Sequence, residues 1–187
     1  MLNFPSDFMN DALKAIQQAA AQPFNGAAVV TDSSFLLIYP PELELDFHDM
    51  LADRCLPGLK NSGIPHEILD LSGFLFSCFS AEEFGDLECD EFRNYRLMRQ
   101  GLAARIEKRL IERLQATAAA SPHTNLFVIS TASLFPLVRY GEVLRQLRDL
   151  PCRVFLSFPG EERGGRPHFM NEPDGGNYLA VKITIRN

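Results

Sequence analysis

The stretch Phe35-Leu36-Leu37-Ile38-Tyr39-Pro40-Pro41 decides the fold class. A short continuous apolar run closed by two prolines reads as a strand covered on both faces. Such strands belong to parallel sheets buried between helices. Working outward, Ser6 and Asp7 open a helix that runs to about residue 21, with Phe8, Leu13 and Ile16 toward one side; Pro23, Asn25 and Gly26 end it. Downstream, the pattern predicts a helix over 43–55, with Phe47, Met50 and Leu51 inward, closed by Pro57 and Gly58. A second strand follows over 66–71, and an apolar helical turn or two over 74–79.

The longest helix is expected over 92–119. Leu102, Ile106, Leu110 and Leu114 recur every four residues there as an apolar stripe. Its arginines, Arg93, Arg96, Arg99, Arg105, Arg109 and Arg113, read as spread around the circumference rather than as one stripe. Further strands are expected over 125–130, 152–158 and 179–185, with a helix over 140–150 and a long loop over 159–177. This alternation predicts an α/β fold: three layers, a mostly parallel sheet flanked by helices, Rossmann-like without a phosphate-binding loop. The 187 residues suit one domain spanning 1–187, with the helix over 6–21 packed on it.

Composition narrows the class. Apolar residues make up 46% and charged residues 22%, a globular balance rather than that of a disordered or low-complexity chain. No run approaches the roughly 20 apolar residues that cross a bilayer. The N-terminus lacks the basic and apolar regions of a secretory signal, so the expected location is the cytoplasm. Charge is distributed unevenly. Up to Glu91 there are three basic and 16 acidic residues, a balance of −13; beyond it there are 15 basic and eight acidic, a balance of +7. A bipolar chain suits guided docking and disfavours a wholly basic nucleic-acid binder.

The motifs do not assemble into chemistry. Cys55, Cys78, Cys89 and Cys152 form no CxxC pair, and His48, His66, His123 and His168 have no metal-ligand spacing, so neither a metal nor a disulfide is expected. Ligands of such sheets bind at the carboxyl ends of strands. After the first strand, Pro40, Pro41 and Glu42 remove amide donors and add negative charge, the opposite of a phosphate cradle. There is no GxxxxGK[ST] or GxGxxG, and no cofactor is expected. Ser130-Thr131-Ala132-Ser133 reads as a turn capping the next helix, and Glu82, Glu83, Asp86, Glu88, Asp90 and Glu91 read as a solvated acidic loop. An enzyme using Ser133 or Glu161 would need a paired base or acid that the sequence does not supply.

Three segments at the strand ends stand out together: Leu37-Ile38-Tyr39-Pro40-Pro41-Glu42-Leu43-Glu44-Leu45, Leu134-Phe135-Pro136-Leu137-Val138-Arg139, and Phe158-Pro159-Gly160-Glu161 followed by Asn177-Tyr178. In order and spacing this set resembles the BrxB family of the BREX bacteriophage-exclusion systems, over residues 30–182. The chain resembles a divergent member. It carries Ser130-Thr131-Ala132 where the family often has glycines, Leu179 where a second aromatic is common, and Glu162-Arg163-Gly164 where Tyr-Asp-Gly is usual. The resemblance implies a non-enzymatic adaptor in a multi-protein defence complex. It implies a PglZ-like protein or the large BREX ATPase as direct partner, with the methyltransferase a further candidate. The partner-binding residues are then Tyr39, Pro40, Glu42, Arg139, Pro159, Glu161 and Tyr178. A second reading is a nucleic-acid-binding subunit using Arg105, Lys108, Arg109, Arg163 and Arg166, with DNA contact otherwise indirect. A homodimer is compatible with either.

Overall fold

The apolar runs form the centre of a parallel sheet. The computed structural model describes residues 6–24, 34–90, 95–147, 150–173 and 180–185. In chain order the elements are α1 (Ser6–Ala21), β1 (Ser34–Tyr39), α2 (Glu44–Met50), α3 (Leu56–Asn61), β2 (His66–Asp70), α4 (Phe74–Ser77), α5 (Ala81–Asp90), α6 (Tyr95–Ala120), β3 (Asn125–Ile129), α7 (Tyr140–Gln146), β4 (Arg153–Arg163), β5 (Arg166–Phe169), β6 (Glu172–Pro173) and β7 (Val181–Thr184). Strands run in the order β2-β3-β4-β1-β7, all parallel, and β5 and β6 extend antiparallel from the far end of β4. This is a three-layer α/β fold with a mostly parallel sheet.

Period-two alternation splits each strand between two apolar layers. Leu36, Ile38, Leu126, Val128, Val154 and Leu156 pack with Ile106, Leu110 and Leu114 of α6 and Val143 of α7. Phe35, Leu37, Tyr39, Phe127 and Phe155 pack with Ile16 of α1, Phe47 of α2 and Leu59 of α3. On that second face Phe155 stacks between Phe35 and Phe127, with centroids 4.7 Å apart on each side. At the amino ends of the strands, Asn125 and Arg153 are buried and hold carbonyls at and just beyond the end of α1. Asn125 Nδ2 donates to Ala20 O at 3.1 Å, and Arg153 Nη2 donates to Gln22 O at 3.2 Å.

Four expectations are corrected. The helix over 43–55 does not stop at Pro57 and Gly58. A 3-10 turn (Pro41–Leu43) leads into α2, a π turn spans Leu51–Cys55, and α3 continues to Asn61. The π turn lies where a proline at position 57 would clash with the carbonyl four residues back, and its wider backbone accommodates the ring. Gly58 instead leaves room for α1: a Cβ there would lie 2.4 Å from Gln17 Nε2. The true stop is Gly63, at φ +68°, with Ile64 N donating to Leu59 O in a Schellman cap.

The acidic stretch is helical from Ala81 to Asp90, not a loop. Ser80 and Glu83 form a capping box: the Ser80 amide donates to Glu83 Oε2 at 2.8 Å and the Glu83 amide to Ser80 Oγ at 3.2 Å. The expected loop over 159–177 is largely strand over its described residues, 159–173, with 174–177 outside them: β4 runs 11 residues, and Gly164-Gly165 turns it into β5. Both glycines have positive φ (+57° and +77°), the mirror-image turn that matches strand twist. Finally, α7 ends at Gln146 rather than at 150.

Candidate functional site

The carboxyl ends of β1, β2, β3 and β4 form a crest. In most folds of this kind that crevice is open to ligand. Here aromatic rings fill the part beside β4. Phe169 of β5 returns over the sheet, 5.0 Å from the ring of Phe158, 5.2 Å from Tyr140 and 6.0 Å from Phe135. The hydroxyls after β3 serve this packing. Tyr140 OH donates to Thr131 O at 2.7 Å, Thr131 Oγ1 to Ser157 O at 2.8 Å, and Ser133 Oγ lies 2.8 Å from Leu71 O and 2.7 Å from Ser130 O. Ser130 itself makes no side-chain cap; it occupies the left-handed region at φ 58°. The expected helix cap is thus a set of bonds to neighbouring strands.

The expected contact residues divide by depth. Tyr39 and Pro159 are paired in register at the ends of β1 and β4, and both are buried. They support the crest rather than present it. Glu42 and Arg139 are exposed, and Pro40 and Glu161 half-buried. Glu161 is ion-paired with Arg163. Arg139 has no carboxylate partner among the described residues; Glu142, three residues on, pairs with Arg145. Tyr178 lies outside the described residues. Beside Glu42, Leu45 of α2 is 78% exposed, with Asp46 and Asp49 exposed on the same helix.

A polar cluster at the crest escaped the sequence reading. Tyr39 stacks on Phe47 at 4.0 Å and its hydroxyl donates to Glu44 Oε2 at 2.7 Å. Burial, then the charge of Glu44, push the phenol well above its ordinary range, so it remains a donor. Glu44 Oε1 lies 3.3 Å from His48 Nε2, one turn on, close enough for an ion pair but misaligned for a hydrogen bond. Glu44 raises the His48 pKa against the opposing effect of burial, and Asp70 and Asp49 add to the rise. Burial pushes the Asp70 carboxyl up, but the Ser72 amide at 2.8 Å, the Ser130 hydroxyl and the charge of His48 outweigh it and bring it down. Glu44 and His48 were visible as an i, i+4 pair; Asp70 and Ser130 join them only through the sheet order.

The cationic candidates fall into two groups. Arg163 and Arg166 face each other across the β4–β5 turn. Arg105, Lys108 and Arg109 line one cleft on α6 with Glu112. Arg105 pairs with Glu83 at 2.6 Å and Arg109 with Glu112 at 3.6 Å. Arg105, Arg109 and Arg113 share one helix face, so the expectation that the arginines form no stripe is corrected for these three.

Cys55, Cys78 and Cys152 are buried free thiols. Burial raises all three, Cys55 to about 12 and Cys152 to about 11. Among the described residues no three His, Cys, Asp or Glu side chains converge as a metal set, and no helix is long and apolar enough to cross a membrane. No family model, no curated protein and no solved structure matches the chain.

Proposed function

We propose that the chain is a cytoplasmic, non-enzymatic adaptor of a BREX-like bacteriophage-defence complex, docking through its crest onto a PglZ-like protein or the large ATPase. One observation carries this reading: Leu45, 78% exposed, stands among the exposed acids Glu42, Asp46 and Asp49 just beyond the carboxyl end of β1. A large exposed aliphatic ringed by charge is the composition of a docking anchor. The aromatic packing under the crest favours a surface that meets another surface over a pocket that takes a small ligand.

The test is a tagged pull-down from the native host after nuclease treatment, with mass spectrometry of the eluate. Recovery of a PglZ-like protein or a large ATPase, reduced about tenfold or more by Leu45→Asp or Arg139→Glu, is the expected result, a loss of the size seen at interface hot spots. Unchanged co-purification by both variants would refute the assignment. Recovery of the chain alone, with nucleic acid that the nuclease removes, would favour the reading through Arg105, Lys108, Arg109, Arg163 and Arg166.

A further inference from the structure

The layer opposite α2 carries a second surface of reversed sign. Between α4 and α6 lies a cleft of about 400 Å³, floored by Phe74 and Cys78 and rimmed by Arg109, Glu112 and Arg113. A second cleft of about 270 Å³ adjoins it along α6, between Arg105, Lys108 and Arg109. Arg105, Arg109 and Arg113 climb one helix face in steps of about 6 Å. Nearby on α4, Phe76 is 67% exposed.

The chain itself shows what this surface accepts. The acidic helix α5 docks at its first arginine: Glu83 Oε1 receives Arg105 Nη1 at 2.6 Å, and Phe84 packs against Phe76 at 5.8 Å and Phe79 at 5.4 Å. Arg105 also lies 4.6 Å over the Phe79 ring. The Arg105 guanidinium, with the Ser80 amide, holds the Glu83 carboxyl down at about 2. One turn and two turns further along α6 the same chemistry recurs. Arg109 meets only Glu112, at 3.6 Å, and Lys108 and Arg113 have no carboxylate partner among the described residues.

We infer that the α4–α6 groove binds an acidic helix of a partner protein carrying a large apolar anchor, repeating the α5 contact one to two turns along. The anchor enters the larger cleft against Phe74 and Cys78, with the exposed Phe76 beside it, and carboxylates meet Lys108, Arg109 and Arg113. Nucleic acid fits less well. Its backbone is negative at every step and would meet Glu112 and the acidic flank of α5, whereas a helix can turn its carboxylates toward the cations alone. The inference does not depend on the crest, and crest variants separate the two.

The probe is the chain's own α5 sequence supplied in trans: a fluorescein-labelled peptide of residues 80–90 with Cys89→Ser, followed by anisotropy. Saturable, salt-weakened binding is expected, reduced about tenfold or more by Arg109→Glu/Arg113→Glu, by Lys108→Glu and by Phe76→Ser. Arg139→Glu at the crest is expected to leave it unchanged, and unlabelled oligothymidylate is expected not to compete. Circular dichroism confirms that each variant is folded, and Lys108→Glu, at an exposed position, carries the test if the double variant is not. Absence of saturable binding, or binding indifferent to the groove variants, overturns the inference. Oligothymidylate binding abolished by those variants, with no peptide binding, assigns the groove to nucleic acid and overturns it equally.

Discussion

Gly160 lies in the Pro159-Gly160-Glu161 segment that contributes to the family resemblance, and replacing it with alanine separates a packing role from a contact role. On β4, Gly160 pairs with Phe169 of β5. A Cβ at position 160 would lie 2.0 Å from the backbone oxygen of His168 and 3.2 Å from the Phe158 ring. The first is a collision with main chain, so the strands must separate by more than an ångström. Overpacking of this kind costs about 1–3 kcal/mol. Separation also lifts Phe169 from Tyr140 and Phe158, forfeiting part of the ~1.5–3 kcal/mol that burying a phenylalanine contributes. Together the two give about 3 kcal/mol, which for a chain of this size lowers the melting temperature by about 6–12 °C. Gly164→Ala is the control. Its φ of +57° is unfavourable to alanine, but nothing lies within 4 Å of the new Cβ, so only about 1–2 kcal/mol of backbone strain is expected. Urea and thermal unfolding of the two variants beside the parent give the comparison. If Gly160→Ala is no more destabilising than Gly164→Ala, the β4–β5 packing does not hold the crest as argued.

Two further perturbations test the supports on either end of the sheet. Asn125→Ala removes the donor to Ala20 and Pro65 and the acceptor of Arg153 Nη1 at 3.1 Å. Pro65 O keeps the Asn125 amide and Ala20 O keeps Arg153, so the loss falls mainly on one buried guanidinium N–H, about 2 kcal/mol and roughly 4–8 °C in melting temperature. A shift under 2 °C by calorimetry, less than about 1 kcal/mol, would show the pin to be dispensable. At the crest, the folded pKa of His48 is raised above its ordinary 6.5 by Glu44, Asp70 and Asp49, with Tyr39 on the far oxygen of Glu44. The stability it contributes is therefore complete below about pH 6.5 and is lost as the pH rises through the folded value. Urea midpoints between pH 6 and 9 are expected to fall more steeply for the parent than for His48→Gln, and parallel slopes would contradict the pairing.

The central strands were legible because their apolar runs contain no competing signal. The β4 extension was not, because Pro159, Gly160 and four nearby charges imitate a loop. Pro159 is tolerated there because its carbonyl, not its nitrogen, is what the next turn needs: Met170 N donates to it at 2.9 Å. The Gly164-Gly165 pair was the available hairpin signal, and Ser80-Ala81-Glu82-Glu83 the available helix-start signal. Pro57 and Gly58 misled because both usually end helices; whether they do so depends on the turn before and the helix alongside, and neither is local. The site was half legible. Position at the strand ends followed from the fold class, but depth did not. Tyr39 and Arg139 look alike as candidate contact residues, yet Phe47 of α2 covers the first and no carboxylate among the described residues pairs with the second.

The bipolar charge of the sequence has a spatial counterpart only in part, because the acids of α5 lie beside the cations of α6 while those of α2 do not. Glu42, Asp46 and Asp49 belong to the α2 layer, packed on the Phe35 and Tyr39 face of the sheet. Arg105, Lys108, Arg109 and Arg113 belong to α6, on the Leu36 and Ile38 face. Opposite charges on opposite layers cannot neutralise each other within one molecule, because a close-packed sheet stands between them. They could do so between molecules, and a head-to-tail contact of that kind would not close on itself. A chain with this polarity therefore stays discrete only if at least one face is occupied by something else or if exposed charge pairs alone are too weak to hold a copy. Such pairs contribute about 0–1 kcal/mol each, far short of what a stable complex needs. What would turn either face into a specific one is its apolar centre, Leu45 on one side and the Phe74 cleft with Phe76 beside it on the other. These two centres differ in shape as well as in surrounding charge, so the two proposed docking faces call for different partners, which is what the proposed adaptor role requires.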